Sequence, residues 1–296
     1  MTVDWIAVDW GTTHLRAWLI GGGEVTCLRS EKGGGGLAPE DYEPALLELI
    51  GEHLTGPAPV IACGMVGARQ GWVEAPYATV PCKAPGVGEA IRVPTQDSRL
   101  DLYILPGVSQ ASPADVMRGE ETQIAGFLAA HPKFDGVLCL PGTHTKWVHI
   151  SAEEIVSFQT VMTGELFALL SEQSILRHSM GDGWDDVAFT GAVSDAMSRP
   201  QAIAAKLFAL RAGSLLGDPD PGMARARLSG LLIGLELAAT KPYWLGQELA
   251  LIGAPDLCAT YATALTAQGL APTQHSGDDL TLAGLTAAYA SLKETA

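Results

Sequence analysis

Asp9-Trp10-Gly11-Thr12-Thr13 and Pro141-Gly142-Thr143-His144 are two short segments in which glycine is followed by side-chain donors, each set between apolar runs. Glycine lets backbone N–H groups come close to an anion and threonine adds a hydroxyl, so such a loop suits a polyphosphate. Asp9 beside the first loop offers what hydrated Mg2+ takes from a protein, namely one or two carboxylates, with phosphate oxygens and water completing the shell. A single Asp-x-Gly-Thr is also an ordinary hairpin turn. Two copies in register point instead to a duplicated fold that handles phosphate, and so to phosphoryl transfer.

Each loop needs a strand on either side to hold it. Residues 5–8 form an apolar strand that ends at the acid and residues 15–20 return; residues 136–140 and 146–150 repeat the arrangement. The pattern further predicts a strand over 25–29, a helix over 40–54, and a strand over 60–63 leading into a turn at 64–67. A Pro- and Gly-rich irregular segment follows over 76–95, then a strand over 102–105 and a helix over 119–130. The second half is expected to add a strand over 155–158, helices between 164 and 239, a strand over 249–252, and helices over 256–268 and 280–293. The glycine run at 33–36 lacks a flanking strand and acid, and reads as a flexible loop rather than a phosphate cradle.

At 296 residues the chain allows two domains, expected over 1–132 and 133–296, each able to bury its own core. A 47% hydrophobic fraction with 17% charged residues describes a well-packed globular protein, and no apolar run approaches the roughly 18 residues of a membrane helix. With the first strand beginning near residue 4, no export signal and a cytoplasmic location are expected. The five cysteines, Cys27, Cys63, Cys82, Cys139 and Cys258, form no Cys-x-x-Cys pair and read as buried thiols. A net charge of −15 disfavours nucleic acid, whose binding needs Lys and Arg against phosphates, while a small anion can still use a local basic pocket.

The paired loops resemble the actin, hexokinase and Hsp70 ATPase superfamily, which carries a phosphate hairpin in each of two similar domains. More specific strings run through the chain: Ala62-Cys63-Gly64-Met65-Val66-Gly67, Met117-Arg118-Gly119-Glu120-Glu121-Thr122-Gln123, Val161-Met162-Thr163-Gly164-Glu165-Leu166 and Leu228-Ser229-Gly230-Leu231-Leu232-Ile233-Gly234. With the two loops, they are similar to the 2-dehydro-3-deoxygalactonokinase family, in that family's order and over nearly the whole chain. The resemblance implies an α/β fold of two duplicated actin-like, ribonuclease H-like domains with an interdomain cleft. It also implies ATP- and Mg2+-dependent phosphorylation of the 6-hydroxyl of a small sugar acid, 2-dehydro-3-deoxy-D-galactonate, and the last helix would cross back to the first domain.

A sugar kinase must align the acceptor hydroxyl, offset charge on the transferred group and place a base. Glu120 and Glu121 at a helix start are the candidate bases, Glu121 being slightly favoured; capping of the helix by acids is the competing reading. Gly11, Thr12, Thr13 and Arg16 on the first loop, Gly142, Thr143, His144 and Lys146 on the second, and Gly253 and Ala254 in the superfamily's adenosine turn are expected to bind ATP, with Asp9 on the metal. Leu140-Pro141 stands where many superfamily members carry a second-loop acid, which leaves Asp9 as the main metal candidate. Arg69 and Arg118 are candidates for the acceptor carboxylate. Thr163 and Glu165 are placed with the substrates, through N–H groups at a helix start or a carboxylate on the metal. The paired glutamates also resemble those of exopolyphosphatases, so a phosphohydrolase stays open, as does a non-catalytic nucleotide-binding regulator. The sequence neither requires nor excludes a homo-oligomer.

Overall fold

The computed structural model describes residues 2–217 and 220–295. Its chain forms two compact units, one of Met1–Asp135, Ile150–Ser157 and Gly277–Ala296, the other of Gly136–His149 and Phe158–Ser276.

The first unit is built on strand β1 (Trp5–Trp10), which pairs antiparallel with β2 (Leu15–Gly21) and parallel with β4 (Ala58–Gly64). β3 (Glu24–Ser30) lies outside β2, and β7 (Leu100–Ile104) and β6 (Ile91–Val93) continue beyond β4. Five of the six β1 side chains are buried because helices cover both faces of the strand. Ile6, Val8 and Trp10 face one core with Tyr42, Leu46 and Ile50 of α1 (Tyr42–Ile50). Trp5 and Ala7 face the other, with Leu285 and Ala288 of α9 (Gly277–Thr295). The alternation follows from the two-residue period of a strand.

The second unit repeats the plan. β10 (Gly136–Leu140), β11 (Thr145–Ser151) and β12 (Glu154–Val161) take the places of β1, β2 and β3, and β13 (Leu249–Gly253) and β14 (Thr273–Ser276) extend the sheet in parallel. Its helices include α3 (Thr163–Ala168), α4 (Asp186–Ser198), α5 (Ile203–Leu216), α6 (Pro221–Ala239), α7 (Lys241–Trp244) and α8 (Pro255–Thr266). Phe189 and Val193 of α4, Ile233 and Leu237 of α6 and Tyr261 of α8 pack on Val137, Cys139 and Leu251.

Four expectations are corrected. Residues 107–117, left unassigned by pattern, form a hairpin of β8 (Gly107–Ala111) and β9 (Ala114–Met117), and β5 (Tyr77–Thr79) from the Pro- and Gly-rich segment joins it in a separate three-stranded sheet. Strands of three to five residues are too short to show an apolar period. β14 escapes for the same reason, its four residues being polar and partly exposed. The predicted helix over 40–54 is α1 flanked by single 3-10 turns at Pro39–Asp41 and Gly51–His53. Of the cysteines only Cys63, Cys139 and Cys258 are buried; Cys82 is half-buried and Cys27, on the outer strand β3, is exposed. Among the described residues no helix is long and apolar enough to cross a membrane.

Candidate active site

In the first unit the β1–β2 register sets Asp9 opposite Arg16 and Trp10 opposite Leu15, and the Gly11 N–H donates to the His14 carbonyl at 2.9 Å to close the loop. The glycine run expected to be flexible is a 3-10 turn (Gly34–Gly36) fastened to this loop. Gly34 and Gly35 donate their N–H groups to the carbonyls of Gly11 and Thr12, each at 2.9 Å. A Cβ on Gly33 would collide with the Thr12 carbonyl oxygen, so only glycine allows that approach. With the loop's carbonyls held from behind, Thr12 and Thr13 stay exposed, Thr13 Oγ1 lying 2.9 Å from His14 Nδ1. Arg16, expected near phosphate, instead forms ion pairs with Asp9 and with Asp278 in the first turn of α9, and Arg29 shares Asp278 at 3.0 Å. Arg16 thus bridges Asp9 and Asp278.

The Arg118-Gly119-Glu120-Glu121 string opens α2 (Glu120–Ala130). Gly64, at the end of β4, and Gly119 both take positive φ, +89° and +108°, and a Cβ on Gly119 would touch Gly64 Cα at 3.5 Å. Gly64 in turn sits against Asp9: a Cβ there would lie 3.5 Å from Asp9 Oδ1. Glycine at both points thus brings the start of α2 next to the acid on β1. Glu121 is 1% exposed, and the Gly119 N–H donates to both of its carboxylate oxygens at 2.8 and 2.7 Å. Burial, then the charge of Glu120, pushes its pKa up to about 7. Glu120 is less buried and accepts from the Arg118 N–H at 3.0 Å. Cys63 Sγ lies 3.8 Å from Asp9 Oδ1, and burial together with the charges of Asp9 and Glu121 pushes its thiol well up, so it stays neutral.

Of the two arginines expected on the acceptor, Arg69 projects outward, 79% exposed, with only a 3.4 Å contact to Glu74. Arg118 donates Nη2–H to the Ala75 carbonyl at 2.8 Å and stacks 4.3 Å over the Tyr77 ring. Its Nε and Nη1 are buried without a hydrogen-bond partner.

In the second unit, the start of α3 presses against the second loop. A Cβ on Gly164 would collide with the Gly142 carbonyl oxygen, Glu165 donates its N–H to the Thr143 carbonyl at 2.9 Å, and His144 Nε2 lies 2.6 Å from Glu165 Oε2. The N–H and carboxylate of Glu165 are therefore both engaged by the loop. Lys146, expected as a loop cation, is 5% exposed within β11, in a run of four buried residues from Thr145 to Val148. Gly142, Thr163 and Gly164 line a cavity of about 300 Å3, closed by Ser229 and Leu232 of α6 and by Thr260 of α8, among others. Gly253 abuts Pro141, a Cβ there reaching its carbonyl oxygen at 3.2 Å, and Ala254 caps α8. The expected adenosine turn thus adjoins the second loop and launches a helix that walls the cavity.

One group was missed. Glu236, 1% exposed in α6, accepts from Trp147 Nε1 at 2.8 Å and from the Tyr261 hydroxyl at 2.9 Å. An acid alone in the apolar stretch 228–239 was the available signal.

Two sheets of the same strand order, each carrying a Gly-Thr loop on its first hairpin, define a two-domain α/β protein of the actin-like ATPase fold. The sequence matches the family model for 2-keto-3-deoxy-galactonokinase over residues 9–288. It is 40% identical to "Probable 2-dehydro-3-deoxygalactonokinase DgoK1" of Rhizobium meliloti, covering 95% of each chain, and 37% identical to the 2-dehydro-3-deoxygalactonokinase of Escherichia coli, covering 96% of this chain and 97% of that one. A crystal structure from Sinorhizobium meliloti assigned to the same kinase superposes with a TM-score of 0.89 at 38% identity, covering 97% of this chain and 99% of the other. The chain belongs to the 2-keto-3-deoxy-galactonokinase family, a family of sugar-acid kinases.

Proposed function

We propose that this protein transfers the γ-phosphoryl group of ATP to the 6-hydroxyl of 2-dehydro-3-deoxy-D-galactonate. The observation that carries the chemistry is that Gly64 and Gly119 bring the start of α2, with Glu121, next to Asp9, beside a loop with exposed Thr12 and Thr13. A carboxyl poised at about 7 accepts a hydroxyl proton near neutral pH, which is the role given to Glu121. Asp9, 13% exposed and oriented by Arg16, fits Mg2+ held with phosphate oxygens and water. Among the described residues no cluster of three or more His, Cys, Asp or Glu side chains could hold a metal alone, so the ion is assigned to arrive with the nucleotide. When bound it would offset the charge of the transferred group. The cavity beside Gly142 is of a size and apolar character suited to a nucleoside. Arg118 is given the acceptor carboxylate: its Nε and Nη1 are buried without a hydrogen-bond partner at a cost of about 1–3 kcal/mol each, part of which a carboxylate accepting from one of them would recover.

Release of ADP from Mg-ATP tests this reading, with the galactonate-derived acid, its gluconate epimer or water as the only acceptor. Release that depends on the galactonate-derived acid is expected. Equal release with water alone would make the protein a phosphohydrolase, and none with any acceptor a nucleotide-binding regulator.

A further inference from the structure

Glu236 stands apart from every group assigned above. It lies in the middle of α6 and its carboxylate accepts from Trp147 Nε1 of β11 and the Tyr261 hydroxyl of α8, with the hydroxyls of Thr145 of β11 and Thr163 of α3 near enough to favour its charged form. The Tyr261 and Thr145 hydroxyls are themselves 2.9 Å apart. With the Tyr261 proton on Glu236, the Thr145 hydroxyl donates to the Tyr261 oxygen, so the acid reaches the strand after the second loop through Tyr261. An acid is a costly way to fill a core, because apolar residues of similar volume pack there without desolvating a charge. What the acid alone supplies is a fixed distance between its donors.

Those donors are not scattered. Thr145 directly follows the second Gly-Thr loop, and Thr163 begins the helix whose Gly164 and Glu165 hold the carbonyls of Gly142 and Thr143. Thr163 and Tyr261 also line the 300 Å3 cavity, as Gly142 does. We propose that Glu236 is a positioning residue for the nucleotide, locking the second loop and the cavity wall into one geometry. Burial, which raises its pKa to about 7, is consistent with a group held in place rather than presented to a ligand; the other titratable groups facing it are Tyr261 and Cys139. The proposal rests on reading the cavity as the nucleoside site.

The test is ADP binding by calorimetry to the whole protein, apart from turnover, alongside KM for each substrate. In Glu236→Gln the amide oxygen still accepts from Trp147 and its NH2 donates to Tyr261, which turns its own proton to Thr145. Glu236→Leu leaves the Trp147 N–H unpaired and Tyr261 with Thr145 alone. Glu236→Gln is expected to bind ADP within about threefold of wild type and Glu236→Leu at least tenfold more weakly, with the sugar-acid KM unchanged in both. Wild-type ADP affinity in Glu236→Leu, or a sugar-acid KM that moves as far as the nucleotide KM, overturns the role. If Glu236→Leu does not fold, Thr145→Val replaces it: a several-fold loss of ADP affinity is expected, and none overturns the proposal. Ser229→Trp, which fills the cavity, tests the reading beneath. If it leaves ADP binding intact while Glu236→Leu weakens it, the nucleoside lies elsewhere and the positioning of the second loop stands.

Discussion

Glu121 is buried to 1% exposure, yet its carboxyl titrates near 7, where it can both hold and release a proton at working pH. As a base it must be ionised, so kcat is expected to rise with pH through about 7. Glu121→Gln should lower kcat by about 10²- to 10⁴-fold and remove that limb; a Gln variant with the wild-type profile would move the base elsewhere. Stability runs the other way. Glu121 and Glu236 both titrate near 4.5 as free side chains and about 7 when folded, so between these values the native state holds the extra protons. Stability is therefore greatest below about pH 4.5 from these groups and falls as pH rises to about 7, each contributing roughly 3 kcal/mol at most. Urea midpoints measured from pH 4.5 to 8 should fall over this window in wild type and fall by about half as much in Glu121→Gln, where only Glu236 remains; a midpoint that climbs across it contradicts the assignment. For Arg118→Ala the expectation is a sugar-acid KM raised at least tenfold with ATP KM unchanged, and an unaltered acceptor KM would make Arg118 a purely structural plug over Ala75 and Tyr77.

At the scale of elements, α9 depends on how closely it approaches α2. A Cβ on Gly126 would collide with the Leu280 carbonyl oxygen, and one on Gly284 with that of Thr122. Gly284→Val forces the helices apart and should cost about 3 kcal/mol or more, read as a lower unfolding midpoint; a midpoint within 1 °C or so of wild type would show that the crossing is not tight. Since α9 also brings Asp278 to Arg16, the same variant should lower activity through Asp9. The sequence makes the two hairpins, β4 and the start of α2 legible, because apolar strands ending at Gly-Thr or at Gly64-Met65, and the Arg118-Gly119-Glu120-Glu121 string, carry their pattern locally. The short polar strands β8, β9 and β14 have no period to read. The Gly33–Gly35 stretch reads as slack because glycine needed for close approach looks the same as glycine in a loose loop. Glu120 and Glu121 could be singled out together, but only the burial of Glu121 separates them, and only the fold gathers Glu236 with Trp147, Thr163 and Tyr261.

For the whole molecule, composition speaks for two cores but not for how the chain is shared between them. Residues 150–157 and 277–296 join the first unit, an allocation made by tertiary contacts such as the Cys82–Ile155 backbone bridge. With a net charge of −15, binding of two anionic substrates has to rest on local donors, the role proposed above for the loops and Arg118. The central claim is transfer to carbon 6 of the sugar acid, and phosphorus–proton correlation NMR of the product tests it most directly. A phosphate resonance coupled to the C6 methylene protons of the galactonate-derived acid, formed only when that acid and Mg-ATP are both present, is the predicted result. Inorganic phosphate alone, or phosphate coupled to a different carbon's proton, would contradict it.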